Sequence, residues 1–270
     1  MTTPWPFPWP QEEIARYTAC RVATPPRIDG KLDEDCWLRA QKSPRFADLV
    51  SGARAVHDTR AAVLWDDECM YVGYWIEEPF VQAALTQRDA LIYEDNDVEL
   101  FVAGQDAYYE LEINALGTIY EVFFVWDEAR ERAGYARRPE FQRDVAGARS
   151  FPGVGFPQHP RGARTGFWNW DFPGLRWAVH VDGTLNDPSD RDRGWSVELA
   201  LPWRGFEALT LGDGRALPPR RGDIWRMDFS RFNQYKAAPP AVDSGGWAWS
   251  PHGVWDSHVP ELFVQVEWGE

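Results

Sequence analysis

Three glutamates on neighbouring segments, Glu99 in NDVELFVA and Glu110 and Glu112 in AYYELEIN, have the residue type and spacing for acid–base work. Residues two apart share a face of a strand, so Glu110 and Glu112 stand together, and Glu99 joins them if the two segments pair. Two carboxylates about 5 Å apart serve a retaining glycosidase, and about 6.5–9.5 Å an inverting one. The same groups on an outward sheet face are more often plain polar surface or acceptors for sugar hydroxyls. A second set is His180, His252 and His258 with Asp256, the only assembly suited to a transition metal, although the spacing of the last two histidines matches no tight ligand pattern. A third is the oxygen-rich loop NDPSDRDRG, whose Asp187, Asp190 and Asp192 form a calcium candidate without the helix-loop-helix pattern, as does YEDND over residues 93–97. Met70 and Met227, on apolar runs, keep a haem reading open against the commoner fate of core packing.

The chain has no G-x-G-x-x-G, G-x-x-x-x-G-K, H-E-x-x-H, G-x-S-x-G or C-x-x-C. Cys20, Cys36 and Cys69 are too few and scattered for a disulfide framework and read as small apolar residues. The net charge of -14 repels phosphate backbones and anionic headgroups, which argues against nucleic acid or a membrane as partner. No stretch approaches the roughly 20 apolar residues of a membrane helix. The N-terminal MTTPWPFPWPQEE lacks a basic start followed by an apolar run, so it reads as no signal peptide; the expectation is a cytoplasmic protein unless a leader has been removed. One region is basic: eight arginines, Arg130, Arg132, Arg137, Arg138, Arg143, Arg149, Arg161 and Arg164, fall between residues 129 and 170. They read as a solvated loop balancing an acidic body, with a site for an anionic ligand as the alternative.

The unusual number is 16 tryptophans in 270 residues. A buried indole needs a partner for its N–H, so a surplus of rings suggests surfaces for stacking. Within GGWAWSPHGVWDSH, Trp247 and Trp249 would share one face of a strand and pack inward. Pro251 and Gly253 then break the run, so Trp255 rides on a loop.

The elements that must position these residues are strands. TRAAVLW and CMYVGYWIEE form a hairpin around DDE. NDVELFVA alternates Val98, Leu100 and Val102 against Asp97, Glu99 and Phe101, and AYYELEIN and TIYEVFFVW flank a turn at ALG. After a segment over 127–173 too rich in Pro and Gly for regular structure, strands resume at residues 175–183, 194–203, 223–232 and 262–268. Helix is confined to LDEDCWLRA, where Asp33 is the expected cap of a turn burying Trp37, and WRGFEAL. The expected fold is all-β: one antiparallel, jelly-roll-like β-sandwich domain of about ten strands over 1–270, with one long irregular basic insertion.

In this order, PPRIDGKLDEDCWLRA, AAVLWDDECMYVGYWIEE, NDVELFVA, YYELEINALG, DGTLN, GWSVELALPW and the ending WAWSPHGVWDSHVPELFVQVEW resemble the family 9 carbohydrate-binding modules, over Pro25 to Trp268. The resemblance implies a non-catalytic sandwich that grips a glucan or xylan chain end between two aromatic rings, with structural calcium in family members, which are usually secreted. Carried onto this sequence, the first ring falls at Tyr93, the glutamate of the D-x-V-E pattern at Glu99 (with Asn96 in place of its Asp), a polar position at Asn114 and the second ring at Trp255. Two departures stand out: the first ring is Tyr rather than Trp, and an arginine of sugar-binding members is replaced by Glu112. The arginine-rich insertion is also foreign to the compact modules. The leading expectation is binding of an oligosaccharide or polysaccharide without catalysis. The alternatives are a glycan-metabolism enzyme or accessory subunit using the glutamate face, and a haem or metal protein.

Overall fold

The computed structural model describes residues 4–234 and 243–270. Its strands are β1 (Arg16–Arg21), β2 (Ala47–Asp48), β3 (Thr59–Trp65), β4 (Cys69–Glu77), β5 (Asp97–Ala103), β6 (Ala107–Asn114), β7 (Ile119–Trp126), β8 (Ala148–Phe151), β9 (Arg164–Phe167), β10 (Arg176–Asp182), β11 (Gly194–Pro202), β12 (Ile224–Phe232), β13 (Gly246–Ala248) and β14 (Val264–Trp268). They form a β-sandwich. One layer runs β10-β11-β4-β3 and the other β14-β12-β5-β6-β7-β9-β8, with β13 paired to β12 and β2 paired to β13. β1 belongs to both layers: Arg16–Ala19 pair in parallel with Gln265–Trp268, and Cys20 and Arg21 then pair in parallel with Leu64 and Trp65. All other strand pairs are antiparallel.

Fourteen strands exceed the expected ten, and the surplus is informative. β1 and β2 are short, with few apolar residues to announce them. β8 and β9 lie inside the segment expected to be irregular; they extend the sheet beyond β7 and so correct the picture of 127–173 as a mere loop. The helix is Asp35–Arg39, preceded by Glu34 with no side-chain cap, so Asp33 does not cap it, while Trp37 is buried as expected. Among the described residues no helix is long and apolar enough to cross a membrane.

Alternation along the strands builds two apolar layers. Val98, Leu100 and Val102 of β5 face the space between the sheets with Tyr109, Leu111 and Ile113 of β6, and Met70 and Met227 are buried in that same core. The opposite face of β5–β7 presents Phe101, Tyr108, Tyr120, Phe124 and Trp126, which form a second apolar cluster with Phe263, Phe151 and Trp168 packed against it. An outward sheet face is thus roofed by the insertion and by the chain leading into β14.

The tryptophans are mostly structural, which corrects the inference from their number. Trp203, Trp225 and Trp268 meet edge to face with centroids 5.2–5.8 Å apart, and Trp65 joins them. Such geometry aligns ring edge with ring face, worth about 0.5–1.5 kcal/mol per pair beyond burial. Trp247 and Trp249 are buried in the main core, whereas Trp255 is the one tryptophan among the exposed large apolar side chains.

Candidate functional site

The register of β5, β6 and β12 gathers carboxyl groups under the roof. Glu99 lies directly opposite Glu112 on β6 and Ser230 on β12, and Glu110 and Asp97 follow two residues away on the same faces. One carboxylate oxygen each of Asp97, Glu99 and Glu112 falls within 4.8 Å of the others. Because the face is covered, these side chains are not the exposed glutamates expected from the sequence: Glu99, Glu110 and Glu112 are 4%, 3% and 2% exposed.

Their satisfaction is thin. Ser230 Oγ donates to Glu99 Oε2 at 2.8 Å, with the Ser257 hydroxyl beside it, and the Tyr93 backbone N–H donates to Glu112 Oε2 at 2.9 Å. Phe232 N–H donates to Asp97 Oδ1, while the buried Oδ2 of Asp97 has no partner. Glu110 has no direct hydrogen-bond donor; His258 Nε2 lies 3.6 Å away, and the charge of the buried Arg164 offsets part of the cost of its burial. Burial disfavours the charged form and the neighbouring acids add repulsion. Desolvation accordingly pushes Glu99 up to about 8, and it drives Asp97, Glu110 and Glu112 well above the usual carboxylate range. Burial also pushes His258 down to about 3, so it is neutral and supplies no counter-charge to Glu110.

Glu99, Glu110 and Glu112 form one wall of a cavity of about 420 Å³. Tyr93, Tyr120, Phe124, Trp168, Phe232 and Trp255 supply its ring surfaces. Tyr93 sits on the single turn Ile92–Glu94 before β5, edge-on to Tyr120 at 6.2 Å, and the Trp168 indole N–H donates to Tyr120 Oη at 2.6 Å. Trp255 stands edge-on to Phe232 at 5.0 Å. It passes so close over β13 that a Cβ on Gly246 would lie 2.7 Å from its ring, so glycine is needed there. Asp256 fixes the roof: its Oδ2 accepts the N–H groups of Val154, Gly155 and Phe156 at 2.9–3.0 Å, and its Oδ1 accepts that of His258. Burial opposes the charge of Asp256, but these backbone donors outweigh it and keep the carboxyl below its usual range.

Tyr93, Glu99, Glu112 and Trp255 therefore line one cavity. Asn114 does not: its amide donates to Leu85 O and Asp95 Oδ2, and its Oδ1 accepts the N–H groups of Leu116 and Thr118, so it braces the β6–β7 turn. The calcium candidate also disperses. Asp192 turns inward to accept from Val81 and Thr184, whereas Asp187 and Asp190 stand exposed. Among the described residues the one group of acids with metal-like spacing is Asp97, Glu99 and Glu112. The histidines separate too: His180 is exposed on β10, and buried His252 bonds Asp256 O through Nδ1 with Asp228 3.5 Å from its Nε2. The arginines of the insertion largely meet acids, as Arg132 and Arg161 do at Asp106 and Arg143 at Asp127. Arg149 reaches the cavity, its guanidinium over the Trp168 ring.

Glu110, Tyr120 and Phe124 were legible from period-two alternation once one face was known to carry the site. Phe151, Trp168 and Arg149 were not, because they enter from β8 and the end of β9, where no strand was expected.

Residues 53–143, which include β3 to β7, match the model of carbohydrate-binding family 9. The fold is similar to that of a Bacteroides uniformis protein (14% identity, TM-score 0.57, covering 94% of this chain and 99% of the other). It is also similar to a family 9 carbohydrate-binding module from Caldicellulosiruptor kristjanssonii in complex with cellotriose (14%, TM-score 0.52, 94% of each chain), and to one in complex with glucose (13%, TM-score 0.50, 94% and 97%). No curated protein matches the chain. The chain thus has the β-sandwich fold of these neighbours, and its similarity to carbohydrate-binding family 9 lies over residues 53–143.

Proposed function

We propose that the protein binds carbohydrate in this cavity without catalysing a reaction, holding the end of a glucan- or xylan-type chain against Tyr93 and Trp255. The observation that carries the reading is that these two rings, 43% and 40% exposed, open onto the same cavity as Glu99 and Glu112. Sugar rings offer apolar C–H faces and polar edges, and a site for them needs flat aromatic surfaces beside a few oriented polar groups. The family match and the sugar-bound neighbours support the same class of ligand. Titration against cello- and xylo-oligosaccharides, with Trp255→Ala alongside, tests it: saturable binding weakened by the substitution is expected, and no binding across a broad glycan panel overturns it.

Hydrolysis is the second reading, favoured by the adjacency of Glu99 and Glu112. Retaining and inverting mechanisms each need one protonated and one ionised carboxyl, whereas here burial raises all of them together. Turnover of a chromogenic glycoside that disappears in Glu99→Gln would establish it; absence of turnover leaves binding.

A further inference from the structure

The cavity wall is anomalous in its charge. Several buried acids elsewhere among the described residues are met by cations or by several donors, although Asp228 has only His252, 3.5 Å away. Glu78 pairs with Arg231 at 2.8 Å and accepts from Asn96 and Asn233. Asp106 lies between Arg132 and Arg161. Glu121 meets Arg88, the Tyr109 hydroxyl and the Phe172 N–H. Glu198 accepts from Trp37 Nε1 and from the N–H groups of Asp29 and Gly30.

In the cavity, Glu99 and Glu112 have one direct donor each, Glu110 has none, and no cation pairs with them. Arg149 is drawn off over Trp168, and Arg164, buried among the Tyr108, Trp126 and Phe151 rings, is near enough to Glu110 to favour its charged form in part but forms no ion pair with it. Like charges directly opposite on paired strands destabilise a sheet, and buried unpaired carboxylates cost more still. A positive group brought by the ligand would relieve both, and the ring walls would attract it further.

We propose that the ligand carries a protonated amine, so that the cavity takes the end of an amino-sugar chain such as a glucosamine oligosaccharide in preference to its neutral glucose counterpart. This rests on the carbohydrate reading and specifies its ligand. The ammonium donates to Glu99, Glu110 and Glu112 while the sugar face lies on an aromatic ring. Glu112 is the determinant: it lies directly opposite Glu99 across the β5–β6 pair, and the Tyr93 N–H is its one direct donor, which leaves it an acceptor for N–H. A divalent ion would also suit Asp97, Glu99 and Glu112, but a bare ion has no use for a cavity walled by aromatic rings.

The test is calorimetric titration of the full chain, treated with chelator, with a fully deacetylated glucosamine trimer, its N-acetylated form and cellotriose, at a pH where the amine is protonated. The amino trimer is expected to bind at least about tenfold more tightly than either of the others. Glu112→Gln should erase most of that margin and Glu112→Arg should reverse it, with thermal melts confirming that the variants fold; Glu110→Gln provides a second, independent reduction. Equal or tighter binding of cellotriose overturns the amine while leaving carbohydrate binding intact. Binding of the amino trimer only after calcium or magnesium is restored overturns it in favour of a metal. Failure of every sugar to bind removes the carbohydrate reading and the inference together.

Discussion

Glu99 on β5 and Glu112 on β6 face each other directly across an antiparallel pair, both buried, with no cation paired to either. An arrangement that repels itself persists because the rest of the sandwich holds β5 and β6 in register through Val98, Leu100, Leu111 and Ile113 in the main core. The strain is local and its sign is calculable.

Stability should fall as the solution becomes more alkaline. A carboxyl with a raised folded-state pKa binds more protons folded than unfolded, so its penalty is absent below the unfolded value and complete above the folded one. For Glu99 that window runs from the ordinary 4.5 to about 8. The groups facing it are Asp97 on the same strand, Glu110 and Glu112 on β6, Asp228 on β12, and His252, Asp256 and His258 on the chain before β14. The Tm of the unliganded protein is expected to drop by several degrees across this window, and Glu99→Gln or Glu112→Gln should flatten the drop. A Tm that rises over the same range would show these acids to be ionised and paired.

The two kinds of tryptophan should separate experimentally. Trp247→Ala empties a fully buried site whose indole N–H donates to Asp243, and should cost about 3–5 kcal/mol in denaturant unfolding. Trp255→Ala removes a ring that is 40% exposed and should cost only about 1 kcal/mol, while weakening sugar binding at least about tenfold.

Asn114→Ala should do the reverse. It removes four hydrogen bonds, two within the β6–β7 turn and two to Leu85 and Asp95, and is expected to lose about 2 kcal/mol of stability. Ligand affinity, read in the same titrations, should change less than about twofold.

Asp256→Ala tests the roof. The backbone N–H groups of residues 154–156 lose their shared acceptor, so their amide exchange should accelerate sharply while that of β5 and β6 does not. Equal acceleration everywhere would mean global destabilisation instead.

Much of the fold was legible because alternation is a local signal. Thr59–Trp65 and Ala107–Asn114 fall where period-two patterning puts them, and Tyr93, Glu99, Glu112 and Trp255 meet at one cavity. Depth was not legible. Glu99 and Phe101 occupy one face of β5, and nothing in that strand says that residues some fifty positions onward will cover it. β8 and β9 escaped notice for a related reason: Gly and Pro dominate their surroundings, and the pairing of β9 with β7, onto which β8 then adds, is set by tertiary contact. Asn114 misled because an amide at a strand end serves a turn as readily as a sugar.

β1 ties the two sheets together by pairing first with β14 and then with β3. Residues 16–19 thus wait for partners some 250 positions away, and closing so large a loop slows folding. During synthesis the sandwich cannot seal until its last strand has left the ribosome. A nascent chain stalled before Val264 would leave the free edges of β1 and β12 open to chaperones and to neighbouring chains.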